Sequence, residues 1–205
     1  MKLDRNISIA AAVLLSLALP RANARAEPPV RLPIVMHVVE QDGLPAVTPD
    51  FIAERVARAN LIFAPHGIAF VVTERRSLAA KHAAQETRAD RDALARFSAR
   101  GAIHCFVVSS LRDVDEPARM RRGVHWRARD ASDQHYLIVS AIAGPDVLAH
   151  ELGHFLGNRE HSETPGNLMS YQHTEVLPFL DATQAAKLQR ALQRYLRTRE
   201  LVPAL

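Results

Sequence analysis

Apolar and polar positions alternate in a few distinct patterns along this chain of 205 residues, and each pattern predicts an element. Residues 32–39 are almost continuously apolar, which reads as a strand buried on both faces. Thr48-Pro49-Asp50 has the cap, proline and acid order of a helix start. Ile52, Val56, Ala59 and Phe63 follow at helical spacing until Pro65-His66-Gly67 breaks the run. Residues 68–73 return as a second strand, and 103–109 and 136–141 are two further apolar strands. Between these last two, the polar stretch 111–134 contains Gly123-Val124-His125-Trp126-Arg127, which reads as a marginal edge strand. Residues 76–100 are alanine-rich and charged, with only Leu78, Leu94 and Phe97 to bury. Their second half is predicted helical, ending at Gly101, with a solvated charged face. Asp181 or Thr183 caps a last helix that carries Ala185, Leu188, Leu192, Tyr195 and Leu196 along one face. No repeat or linker divides residues 32–201, so one mixed α/β (α+β) domain over residues 27–205 is expected.

One helix remains, and it carries chemistry. Gly144-Pro145-Asp146 supplies its start, Leu148, Leu152 and Phe155 an apolar stripe, and Gly157 its stop, since a glycine there enters the left-handed region and turns the chain back. His150 and His154, four residues apart, lie one above the other and can aim both imidazoles at one point about 2.0 Å away, as a Zn²⁺ ion requires. Glu151 reaches over that point without binding it, where it can take a proton from a zinc-bound water and return it to a leaving amine. His-Glu-x-x-His with this division of labour is the chemistry of a zinc peptidase.

The stretch His-Glu-Leu-Gly-His-Phe-Leu-Gly from His150 to Gly157, a further histidine soon after it, and Asn167-Leu168-Met169-Ser170-Tyr171 together resemble the metzincin clan of zinc endopeptidases. The resemblance implies a catalytic domain with a twisted mixed sheet of about five strands and three main helices, and with the site helix and a Met-turn below an edge strand. It implies a third zinc ligand beyond Gly157 and a methionine, here Met169, filling the floor under the metal. The clan's spacing would put that ligand at Glu160, whereas the histidine stands one residue later, at His161. His161 is the preferred ligand, since imidazole is the commoner partner, and Glu160 is the alternative. Tyr171, two residues after the methionine, resembles the tyrosine that approaches the metal in the astacin-like and serralysin-like branches, with a half-buried tyrosine as the plain alternative.

Composition changes the picture mainly in compartment. Residues 1–26 have a basic polar beginning, an apolar run over 7–19 too short for a bilayer span, and an Ala24-Arg25-Ala26 ending, which together read as a secretory signal peptide. A soluble product, secreted or periplasmic and without stable membrane association after cleavage, is expected. Removing those residues takes away four basic groups and Asp4, so the formal charge of +4 falls to +1. With a single tryptophan and no aromatic-rich basic face, nucleic acid is not the expected partner. Cys105, the lone cysteine, excludes an intramolecular disulfide and sits in an apolar run as a buried side chain. The other histidines have no ligand spacing and are expected to be structural, with His173 closest to the site in sequence. A monomer is expected.

The expected partner is therefore an extended polypeptide lying along the 123–127 edge strand, whose free main-chain groups would hold it without regard to sequence. Arg119, Arg121, Arg122, Arg127 and Arg129 flank that strand, with Asp113, Asp115, Glu116, Asp130 and Asp133 offsetting them in part. They form either a locally basic cleft wall or a solvated loop whose charges pair among themselves. Two other readings stay open. One is a thermolysin-like site completed by Glu163 or Glu175. The other is a secreted zinc-containing binding protein whose metal only stabilises the fold, against which the intact Glu151 argues.

Overall fold

The computed structural model describes residues 28–129, 134–172 and 174–205. The signal peptide expected over residues 1–26, His173, Asp130 and Asp133 lie outside them. In chain order the elements are β1 (Val30–Gln41), β2 (Leu44–Pro45), α1 (Pro49–Phe63), β3 (Ile68–Leu78), β4 (Ala84–Gln85), α2 (Arg88–Asp92), β5 (Ile103–Val108), β6 (Ser110–Leu111), β7 (Gly123–Arg127), β8 (His135–Ser140), α3 (Val147–Phe155) and α4 (Ala182–Arg197). β3, β1, β5 and β8 run parallel in that spatial order, and β7 closes the sheet antiparallel to β8. The two-residue β2 folds back on the end of β1 and brings the sheet to six strands. The apolar runs read as buried strands are the central strands, and β5 and β8 are buried at every position.

Two cores follow from this arrangement. On one face, Leu32, Ile34, Met36, Cys105, Val107, Leu137 and Val139 pack against the apolar stripes of α1, α3 and α4. On the other face, Phe106, Val108, Tyr136 and Ile138 pack under Leu78, Leu94 and Trp126. The second core corrects the reading of residues 76–100. β3 continues as a strand to Leu78 in register with Val39, and only Arg88–Asp92 is α-helical, started by a Thr87/Asp90 capping box. Alanine content favoured a helix, but the few apolar side chains are spent covering the sheet, and tertiary burial overrides propensity. Arg91 is buried there with them, its guanidinium on the Arg112 carbonyl and over the Trp126 ring. The last helix begins at Asp181, which forms a capping box with Gln184.

Helix α3 is held unusually close on two flanks. A Cβ on Gly153 would stand 2.6 Å from Met169 Sδ. A Cβ on Gly123, at the start of β7, would stand 2.6 Å from Val147 Cγ1 and 2.9 Å from Glu151 Oε1. The helix ends as its glycine predicted: Gly157 has φ +99°, its N–H reaches the His154 carbonyl, and Asn158 N–H reaches the Gly153 carbonyl, a Schellman closure. At the other end Asp146 occupies the cap position, but its carboxylate turns to Arg58 on α1, 2.6 Å away.

Replacing Gly123 or Gly153 by alanine should each cost about 1–3 kcal/mol of stability, the usual penalty for overpacking. Gly144→Ala, with nothing within 4 Å of the added carbon, should stay within about 0.5 kcal/mol. Urea unfolding of the three variants checks the order. A second expectation concerns pH. His37 Nε2 and His104 Nδ1 lie 2.9 Å apart inside the second core, and His104 Nε2 accepts the Ala99 N–H. Burial, then mutual repulsion for His37 and the Arg76 charge for His104, lower each pKa from 6.5 to about 4. These depressed values mean that stability present above pH 6.5 is lost as pH falls toward 4. His37→Gln, which keeps an acceptor but cannot charge, should flatten that loss in unfolding measurements at pH 7 and pH 4.5.

Candidate metal centre

The structure brings three of the predicted residues to one point. The metal-binding atoms of His150, His154 and His161 lie within 4.8 Å of one another, and the Nε2 atoms of His154 and His161 are 3.2 Å apart. Tetrahedral bonds of about 2.1 Å would set ligand nitrogens roughly 3.4 Å apart, so the spacing fits Zn²⁺. The rings are aimed from behind. His150 Nδ1 donates to the Leu168 carbonyl at 2.7 Å, and His154 Nδ1 to the Asn158 carbonyl at 2.6 Å, which leaves each Nε2 facing the shared point. Burial lowers the pKa of His154 to about 4 and also lowers that of His161, so both rings are neutral and open to a metal at neutral pH.

The third histidine arrives through the turn after α3. Beyond Gly157 the chain reverses, Ser162 N–H bonds the Met169 carbonyl, and His161 comes to lie parallel to the His150 ring at 5.3 Å. Glu160, the alternative, points the other way, pairing with Lys187 at 3.2 Å with its side chain 85% exposed.

Below the histidines lies the turn of residues 167–170. Met169 is fully buried against Gly153, and the turn is held by Asn167, whose side-chain oxygen accepts the Met169 N–H. Asn167 and Gln184 exchange two amide hydrogen bonds, at 2.8 and 3.0 Å, so the first turn of α4 fixes this turn, which in turn presents the Leu168 carbonyl to His150. Sequence reading did not single out Asn158, Asn167 or Gln184 as supports of the site. The Asp181-x-x-Gln184 capping box was the one visible signal. Tyr171 is 58% exposed and stacks on His161 at 4.4 Å.

Glu151 is buried beside the histidines under the start of β7. Burial pushes its carboxyl up to about 8, against the opposing pull of the His125 backbone N–H and the Arg121 charge. In front of it a cleft of about 930 Å³ runs between β7 above and the turns after α3 below, lined among others by Gly123, His125, Arg127, Arg159, Tyr171 and Pro178. Glu163 is exposed in the loop between the two turns, and Glu175 in the loop beyond the second, so neither lies on a helix as the thermolysin-like reading needs. Two of the other histidines, His125 at the cleft wall and His135 behind it, pair with each other. His125 Nε2 meets His135 Nδ1 at 2.7 Å, and His135 Nε2 meets Glu200.

No family model and no curated protein sequence matches the chain. Among solved structures it is similar to metalloproteinase-II from Bacteroides fragilis, with a TM-score of 0.56 and 16% identity over 80% of this chain, and it spans 53% of the length of that protein. Mature mirolysin of Tannerella forsythia, in complex with a cleaved peptide, gives a TM-score of 0.58 at 12% identity, covering 86% of this chain and 100% of mirolysin. Mirolysin with a bound compound gives 0.60 at 10% identity over the same shares. The mixed six-stranded sheet with its helices is thus a metzincin-like protease fold, shared with these solved structures.

Proposed function

We propose that the protein is an exported zinc-dependent endopeptidase, with His150, His154 and His161 holding Zn²⁺ and Glu151 moving the proton. The observation that carries the reading is the convergence of three oriented imidazoles next to a buried carboxyl group at the floor of a cleft open along an edge strand. The donor set is all nitrogen, which suits zinc. When bound, the metal supplies Lewis acidity toward a peptide carbonyl and toward water.

The chain's own groups do the rest. The β7 edge offers main-chain donors and acceptors to an extended peptide and sets the scissile bond over the histidines. Glu151, whose proton affinity burial raises, would in its carboxylate form accept a proton from water and deliver it to the leaving amine. In this reading Tyr171, whose ring stacks on His161 at 4.4 Å, lends its phenol O–H to the reacting carbonyl. Val147 and the Gly123 backbone close over Glu151 and keep bulk water from its burial site. Export rests on the pattern of residues 1–26, and among the described residues no helix is long and apolar enough to cross a membrane.

His161→Ala should weaken zinc binding by more than the roughly 10–100-fold typical of removing a supporting residue, whereas Glu160→Ala should leave it nearly unchanged. Metal analysis after dialysis against a weak chelator reads the difference, and the reverse order would hand the ligand role to Glu160. Glu151→Gln should keep its zinc while hydrolysis of a mixed peptide library falls about 10²- to 10⁴-fold, the usual cost of losing a general base. Undiminished turnover in that variant would remove Glu151 from the mechanism, and a zinc-loaded wild type inert toward every peptide would leave the metal with a structural role.

A further inference from the structure

The cleft keeps a surplus of positive charge after its internal pairs are counted. Among the described residues the four carboxyl groups that line it are all committed: Asp113 to Arg121 at 2.5 Å, Asp115 to Arg88, Asp146 to Arg58 of α1, and Glu151 in its buried place beside the histidines. Eight arginines line the same cleft. Among the described residues, Arg91 is buried on the Arg112 carbonyl, and Arg119, Arg122, Arg127 and Arg159 have no carboxylate partner.

Two of the four are placed to act together. Arg127 ends β7 on the face that Gly123 and His125 share, because alternate strand residues point the same way, and that face lies against α3. Arg159 stands two residues past Gly157, on the turn that leaves α3. Both are exposed, and they come from opposite walls of the cleft. Arg127 stands two residues along β7 from His125, whose ring lies 5.7 Å from that of Phe155 in the last turn of α3, and Arg159 follows the stop of the same helix, so both come from the His154 end of the site. Two cations that line one cleft with no carboxylate partner among the described residues favour a ligand carboxylate between its walls. The planar guanidinium fork also matches a carboxylate in a way that a simple point charge does not.

We propose that the cleft selects acidic peptides, and that Arg127 and Arg159 bind an Asp or Glu side chain on the His154 side of the scissile bond. The proposal rests on the peptidase reading for its meaning as specificity, but the binding it describes does not require turnover.

Two arms test it. In the first, zinc-loaded protein is given a peptide set with Asp or Glu flanking the cleaved bond and its Asn and Gln counterpart. The acidic set should be cleaved about three- to tenfold faster in kcat/KM in about 20 mM salt, as exposed charge pairs allow. The ratio should fall toward one in about 0.5 M salt. It should also fall toward one in the Arg127→Gln/Arg159→Gln double variant and recover in part in the double lysine variant. A ratio near one for the wild type at low salt, or a ratio that the double glutamine variant does not move, overturns the proposal. In the second arm, zinc-loaded Glu151→Gln protein is titrated with a fluorescein-labelled peptide carrying two glutamates and with its diglutamine counterpart. If neither peptide set is cleaved, the peptidase reading has failed. The anisotropy titration then decides the inference alone, tighter binding of the glutamate peptide supporting it and equal binding overturning it.

Discussion

The close approach of α3 to its neighbours is the constraint on which the site depends. On one flank β7 comes so near that only a glycine at position 123 leaves room for Val147 and for the Glu151 carboxyl, and on the other the buried Met169 leaves room only for a glycine at 153. A helix gripped at both sides has little freedom to roll, and its rotation decides where His150 and His154 point. Interiors packed at this density do not yield by a few tenths of an ångström without cost. The grip also explains the burial of Glu151 beneath the sheet edge, which raises its proton affinity and keeps it short of the point where the three histidines meet.

The aim of the rings is set farther out, by buried amides. Asp181 and Gln184 cap α4, Gln184 binds Asn167, Asn167 shapes the turn around Met169, and the Leu168 carbonyl of that turn accepts the His150 proton. A helix start some thirty residues away thereby fixes one imidazole. The His154 ring is fixed more locally, by the carbonyl of Asn158, whose own side chain donates to the Gln184 carbonyl. Both lines run to the first turn of α4, so that turn is a shared support for two rings from one helix. Each link satisfies a buried polar group that would otherwise cost about 1–3 kcal/mol, which favours the whole set forming together.

What could be read in the sequence was what local spacing encodes. His150, Glu151 and His154 at helical separation, the stop at Gly157, the methionine turn, the central strands and even the five-residue edge strand all follow from patterns a few residues long. The one-residue displacement of His161 left two candidates; in the fold His161 joins His150 and His154 within 4.8 Å, while Glu160 pairs with Lys187. Features set by distant contacts were not legible. The second half of the alanine-rich residues 76–100 looked helical, because nothing local reveals that Leu94 must cover Phe106 and Tyr136, and nothing local shows that β3 runs on to Leu78. Gly153 passed as the free position of a motif and Gly123 as the weak start of a marginal strand. Each is fixed by a side chain from elsewhere in the chain. The arginines around β7 were visible as a cluster, but their internal pairing, and the part played by Arg159 from the other wall, needed the fold.

The central claim is that three imidazoles, and no carboxylate of the protein, hold one zinc ion. X-ray absorption at the zinc edge of the loaded protein tests it most directly, since the scattering pattern of imidazole rings gives their number. The account predicts one zinc per chain with three histidine nitrogens and one further light atom at about 2.0–2.1 Å. Two or fewer imidazoles, with the shell completed by protein carboxylate, would contradict it.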